Sequence, residues 1–208
     1  MNGGGSVQNI NPTEFLESVI KEIEQTGIKK RLLLHSCCAP CSSYVLEYLS
    51  KVFDITVFYY NPNIYPKEEY YKRAEEQIKF TESFLGKDIK VITEEHRDKE
   101  FYDAVKGLES EPEGGARCRE CFRLRLSETA KFAKEYKFDY FTTTLSISPH
   151  KNATVLNEVG GEIADKTGVP YLYSDFKKKN GYLRSTEISK QYGIYRQDYC
   201  GCVFSMKK

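Results

Sequence analysis

The chain has 208 residues, enough for one domain with a full core, and no low-complexity linker divides it. Its 31 basic and 30 acidic side chains leave a formal net charge of +1, which excludes a polyelectrolyte, so any nucleic-acid partner must be held by a local patch. No apolar run approaches the ~18 residues of a membrane span and no leader pattern is present, so the expectation is a cytoplasmic protein without a membrane partner.

Seven cysteines are many for a reducing compartment, and an odd number cannot all pair into disulfides. Metal binding or redox chemistry is the reading they favour.

Residues 1–10 carry three consecutive glycines and no periodicity, and are expected to form a flexible tail ahead of a single α/β domain over 11–208. Asn11 and Pro12 read as the cap and first turn of an amphipathic helix, with Phe15, Val19, Ile20 and Ile23 at helical spacing and a stop at Gly27. Apolar, β-rich runs follow at 31–35, 54–60, 88–92, 139–144 and 169–173. Helical patterns lie between them at 41–51, 66–85, 98–109, 119–136 and 152–167. This alternation predicts a doubly wound parallel sheet with helices on both faces, a three-layer α/β fold. In such sheets the ligand site lies beyond the carboxyl ends of the strands, where strand order reverses.

The first strand runs straight into HSCCAPCSS, which sets Cys37, Cys38 and Cys41 at that edge. A nucleotide-binding α/β protein needs a glycine-rich loop here so that backbone N–H groups can approach phosphate. This loop has no glycine, which disfavours ATP, although Ser42 and Ser43 at a helix start could still meet an anion. A second cluster, Cys118 and Cys121 in GGARCRECFRLRL, opens a helix, where the dipole favours thiolates and two intervening residues put both sulfurs on one side. The third, Cys200 and Cys202 in DYCGCV, brackets a glycine that permits a tight bend.

Seven thiols exceed what one tetrahedral centre needs, leaving some for a second task. A structural zinc and a thioredoxin-like dithiol are the competing uses of the same residues. Asn61 and Asn63 in YNPNIYP are turn residues or crevice lining. His35 and His150 show no metal-ligand spacing and are read as hydrogen-bonding groups. Lys177, Lys178, Lys179 and Arg184 in SDFKKKNGYLRS are the candidate phosphate contacts, with Arg196 as an addition.

Taken in order, LHSCCAPCSS, FYYNPNIYP, EGGARCRECFRLRL, TTTLSISPHK, DFKKKNGYLRS and IYRQDYCGC resemble the QueH-type epoxyqueuosine reductase family over residues 31–204. The resemblance implies a fold similar to adenine-nucleotide α-hydrolase-like proteins, with cysteines in place of the phosphate loop. It further implies a [4Fe–4S] cluster, an external electron donor, and a substrate tRNA whose epoxyqueuosine is converted to queuosine.

Against that background Cys37, Cys38, Cys118 and Cys121 are expected to hold the cluster, with Cys41 able to replace one of them. Cys200 and Cys202 are expected to form a second element, either a redox-active disulfide pair or ligands of a second, mononuclear iron. Asp198 and Asp175 are candidates to complete that iron's shell or to protonate the epoxide oxygen. A zinc-stabilised RNA-binding module and a thiol–disulfide oxidoreductase are the alternative functions.

Overall fold

A computed structural model describes residues 10–206 apart from residue 87. The expected tail, but for its last position, lies outside the described residues.

Helix α1 (Pro12–Thr26) begins where Asn11 Oδ1 accepts the Thr13 and Glu14 N–H groups, and it ends at Gly27, whose φ of 66° lets the chain leave in the left-handed conformation. There follow β1 (Arg31–His35), α2 (Ala39–Leu49), β2 (Asp54–Tyr59), α3 (Lys67–Leu85), β3 (Lys90–Thr93), α4 (Asp98–Ala104) and α5 (Ala116–Glu135). The chain continues through β4 (Tyr140–Thr143), α6 (Ala153–Thr167) and α7 (Gly181–Gln191).

The sheet is all parallel in the order β3-β2-β1-β4, with Leu32 opposite Ile55 on one side and Tyr140 on the other. Both faces are covered, so the central strand must be apolar on both. Leu32 and Leu34 enter a core with Leu16, Val45, Leu46 and Ile188 of α1, α2 and α7, while Leu33 enters the opposite core with Leu126, Ala130 and Val159 of α5 and α6. The period of two in β1 thus assigns its side chains to two layers. Among the described residues no helix is long and apolar enough to cross a membrane.

Two elements differ from the sequence expectation. Residues 169–173 make only one bridge, Tyr171 to Phe141. Pro170 lacks an N–H, and side chains replace the ladder: Thr142 Oγ1 donates to Leu172 O and Asn157 Oδ1 accepts Ser174 N–H. The second difference is α7, which the glycine turn at Asn180–Gly181 concealed. A Cβ on Gly181 would stand 2.0 Å from Phe176 O and 2.6 Å from the Tyr44 ring, so this helix starts where only glycine fits.

Because β1 is flanked by β2 on one side and β4 on the other, strand order reverses beside it, and the ends of β1 and β4 open a crevice. The C-terminal segment returns over this edge. Tyr65 N–H donates to Gly201 O at 2.8 Å, and the Tyr199 hydroxyl donates to Tyr65 O.

Candidate metal centre

The loop from β1 to α2 puts three thiols at the start of α2. Cys38 is its N-cap in an extended conformation, and Pro40 and Cys41 lie in its first turn. The Cys37, Cys38 and Cys41 sulfurs all lie within 4.8 Å of one another, with Cys37 and Cys38 3.7 Å apart. Burial would resist charge here, yet hydrogen bonds from the Cys38 and Cys41 thiols hold Cys37 well below the ordinary thiol range, helped by Lys151 and Arg125. The same bonds push Cys38 up to about 12 and raise Cys41. Of the three sulfurs at this helix N-terminus, Cys37 is thus the one most favoured as a thiolate.

These sulfurs fit a metal. Two thiolates on one tetrahedral ion with ~2.3 Å bonds stand about 3.8 Å apart. The 3.7 Å between Cys37 and Cys38 matches that edge, and sulfurs on different corners of a cubane stand wider apart.

Cys118 and Cys121 open α5, where the Gly114 N–H donates to the Cys118 sulfur at 3.2 Å. Burial raises both thiols, Cys121 to about 12, and Cys200 and Cys202 act electrostatically on each. Cys202 packs with Cys121, Phe101 and Val105, whereas Cys200 lines the crevice. Gly201 between them has φ 121°, which is the bend expected from the sequence. All seven cysteines are free thiols, so Cys200 and Cys202 are not cross-linked in this structure.

Of the expected set of Cys37, Cys38, Cys118 and Cys121, the first two stand in a compact triad with Cys41, the residue expected as a possible replacement. The physical reason is the helix start. An N-cap and a residue three positions later share one end of α2, while Cys37 and Cys118 both pack against the core on the α5 side of the sheet.

The crevice has a volume of about 500 Å³ and is lined by Cys37, Cys41 and Cys200 together with Arg73, Lys151 and Arg196. Asp198 is also at its wall. Asp175 is not: its Oδ1 pairs with Lys177 Nζ at 3.1 Å, and it borders a separate small cleft.

Most of the basic run is already paired within the chain. Lys177 Nζ donates to Ser146 O and Lys151 O, Lys179 pairs with Glu17, and Arg184 forms a two-pronged pair with Glu47 and reaches Glu187. Lys178 is exposed beside the separate cleft. Their charges are already matched or face away from the thiols. Of the basic residues named from sequence as phosphate contacts, only Arg196 lines the crevice, with its guanidinium 6.0 Å from the exposed Tyr182 ring.

Ser42 and Ser43 are buried and donate to Ala39 O and Pro40 O, so neither is available to an anion. His35 does hold a hydrogen-bonding position, between Thr143 Oγ1 at 2.8 Å and Tyr60 O at 3.1 Å. Burial and the nearby Arg125 lower its pKa to about 3, so it is neutral. Asn61 is buried, donating to Ser36 O and accepting from Arg125, which also reaches the Cys121 sulfur.

Arg125 thus sits between the β1 loop and the α5 thiols, a link the sequence reading missed. Burial opposes its charge, but Cys121, Cys37 and Cys200 hold the guanidinium firmly protonated. Its spacing of four residues from Cys121 on one helix face was the available signal. Arg73, Lys151 and Gln197 carried no comparable signal.

Comparison with known proteins shows the family and the fold. The sequence model of the family Epoxyqueuosine reductase QueH matches residues 32–208. Epoxyqueuosine reductase QueH of Streptococcus pyogenes serotype M1 is 46% identical over 203 residues, covering 96% of this chain and 80% of its own length. The Staphylococcus epidermidis protein of that name is 46% identical over 206 residues, with 97% and 87% covered, and the Thermotoga maritima one is 39% identical over 178 residues, with 84% and 90% covered. A solved structure of the U34-tRNA thiolase NcsA from Methanococcus maripaludis with its [4Fe–4S] cluster aligns at TM-score 0.54 and 14% identity, over 94% of this chain and 68% of that one, and shows the shared fold. With a family match across the whole cysteine-bearing region and relatives aligned over nearly the full chain, this protein belongs to the epoxyqueuosine reductase QueH family.

Proposed function

We propose that the chain converts epoxyqueuosine in tRNA to queuosine, using iron held by its thiols. The observation that carries this reading is the convergence of the Cys37–Cys38–Cys41 triad and Cys200 on one crevice at the switch point of the sheet. The family membership supplies the substrate class.

Removing an epoxide oxygen to leave an alkene takes two electrons and two protons and releases water. An iron–sulfur centre supplies such electrons singly. The protein must therefore hold that centre beside the epoxide, bind an RNA nucleotide drawn out of its stack, and deliver protons.

We assign the metal-holding role to two thiol groups. Cys37, Cys38 and Cys41 have the spacing of a single iron ion's ligands. Cys118, Cys121, Cys200 and Cys202 supply the four thiolates that a [4Fe–4S] cluster takes. This revises the expected pairing of the β1 loop with α5, but keeps the expectation of a cluster and a second iron.

Tyr182 and Arg196 at the crevice wall offer a ring and a guanidinium plane for the extruded base and its phosphate. Asp198, exposed at the same wall, is placed to pass protons from solvent. The electron donor is external. Iron, sulfide and zinc analysis of the anaerobically purified chain tests the metal assignment: iron with matching sulfide supports it, and stoichiometric zinc without sulfide contradicts it in favour of an RNA-binding module.

A further inference from the structure

Three cationic side chains border the crevice, and they are held differently. Arg73 is tied to Glu69 at 2.7 Å, and Arg196 donates to Ser189 Oγ at 3.2 Å. Lys151 stands apart: among the described residues its Nζ has neither a carboxylate partner nor a hydrogen-bond acceptor. Its backbone, by contrast, is fixed. Lys151 N–H donates to Ser148 O at 3.2 Å, Lys177 Nζ donates to Lys151 O at 3.3 Å and to Ser146 O at 2.9 Å, and Asn152 caps α6 immediately after. The Lys177–Asp175 pair is thus a brace for the loop that carries Lys151.

Lys151 is half-buried with its ammonium open to the crevice, where an acceptor bound there would replace water on it. Burial opposes the charge, yet Cys200, Cys37 and Cys41 hold Lys151 above the ordinary lysine range, so it stays cationic. The sulfurs that influence it come from both sides of the crevice, from the β1 loop and from the C-terminal segment. Cys37, Cys41, Cys200 and Lys151 line one crevice, so a group bound in it is within reach of the ammonium as well as the thiols.

We propose that Lys151 is a catalytic residue of the reduction, its ammonium hydrogen-bonding the epoxide oxygen and stabilising the negative charge that grows there as the C–O bonds break. The inference rests on the functional reading above. In the complete step both C–O bonds of the epoxide break and a C=C bond forms. Two electrons arrive singly from the one-electron reductant that the reductase activity requires, and the oxygen leaves as water with two protons drawn from solvent. Lys151 remains an ammonium throughout, as a donor aimed at developing charge.

The test is binding as well as turnover. The holoenzyme, purified anaerobically and kept free of reductant, is titrated with an anticodon stem-loop carrying either epoxyqueuosine or queuosine. The wild type is expected to prefer the epoxide, which alone offers the oxygen. Lys151→Met is expected to bind the epoxide RNA about tenfold more weakly, as for loss of a hydrogen bond to a charged group, and the queuosine RNA unchanged. Its turnover should fall by about a hundredfold or more at equal iron content.

Lys151→Arg, which keeps the cation, should retain the epoxide preference with reduced turnover, and decides the matter should Lys151→Met lose iron. Equal loss for both RNAs would show a structural role, and an intact preference in Lys151→Met would show that the ammonium only offsets thiolate charge; either overturns the proposal. A wild type that neither binds nor reduces the epoxide RNA would instead overturn the functional reading beneath it.

Discussion

Gln197 donates from Nε2 to the Cys38 sulfur across 2.9 Å, which ties the returning C-terminal segment to the loop after β1. It is a direct bond between the segment that carries Cys200 and Cys202 and the triad. A donor aimed at a thiolate or metal-bound sulfur contributes on the order of 1–2 kcal/mol. Gln197→Ala is expected to release iron to a chelator about tenfold faster than the wild type. Unchanged release kinetics would show that the bond does not steady the site.

The proposed division of the thiols predicts different losses from different cysteines. Cys118→Ala is expected to remove the iron–sulfur charge-transfer absorption with most of the iron. Cys41→Ser is expected to keep that absorption while losing about one iron per chain. Bleaching in Cys41→Ser would place the triad on the cluster instead.

The ion pairs of the basic run predict which charges RNA meets. Lys179→Ala and Arg184→Ala are expected to leave the salt dependence of tRNA binding unchanged, because Glu17 and Glu47 already match those cations. Arg196→Ala should lower the slope of log K against log salt by roughly 0.7–0.9, one phosphate contact's worth. Fluorescence titrations across a salt series measure both.

The start of α7 predicts a stability effect remote from the thiols. Gly181→Ala drives a methyl group into Phe176 O and the Tyr44 ring, and overpacking of this kind costs about 1–3 kcal/mol. Urea unfolding should show a lower midpoint with an unchanged slope. An unshifted midpoint would mean that α7 moves aside freely.

The strands were legible where alternation and length agreed, as in the LLL run of β1, whose leucines divide between two cores. The run at 169–173 had strand composition, but Pro170 and the side-chain hydrogen bonds of Thr142 and Asn157 took over its ladder. Helix α7 was hidden because Asn180–Gly181 reads as a turn and few apolar residues follow it. At the site, sequence showed that the thiols belong to one edge of the sheet. It did not show which thiols lie closest together, because the compact Cys37–Cys38–Cys41 group depends on how α2 starts. In the lysine run, sequence displays the charge but not the glutamates that fold against Lys179 and Arg184.

Reduction of the epoxide by this chain requires the metal held by its thiols. The most direct measurement incubates the anaerobically purified chain with a chemical one-electron reductant and tRNA carrying epoxyqueuosine, then digests the RNA and weighs its nucleosides by mass spectrometry. Conversion to a nucleoside lighter by one oxygen, absent after iron is chelated, is the predicted result. An iron-replete chain that leaves the epoxide intact, or a chelated chain that converts it undiminished, would contradict the account.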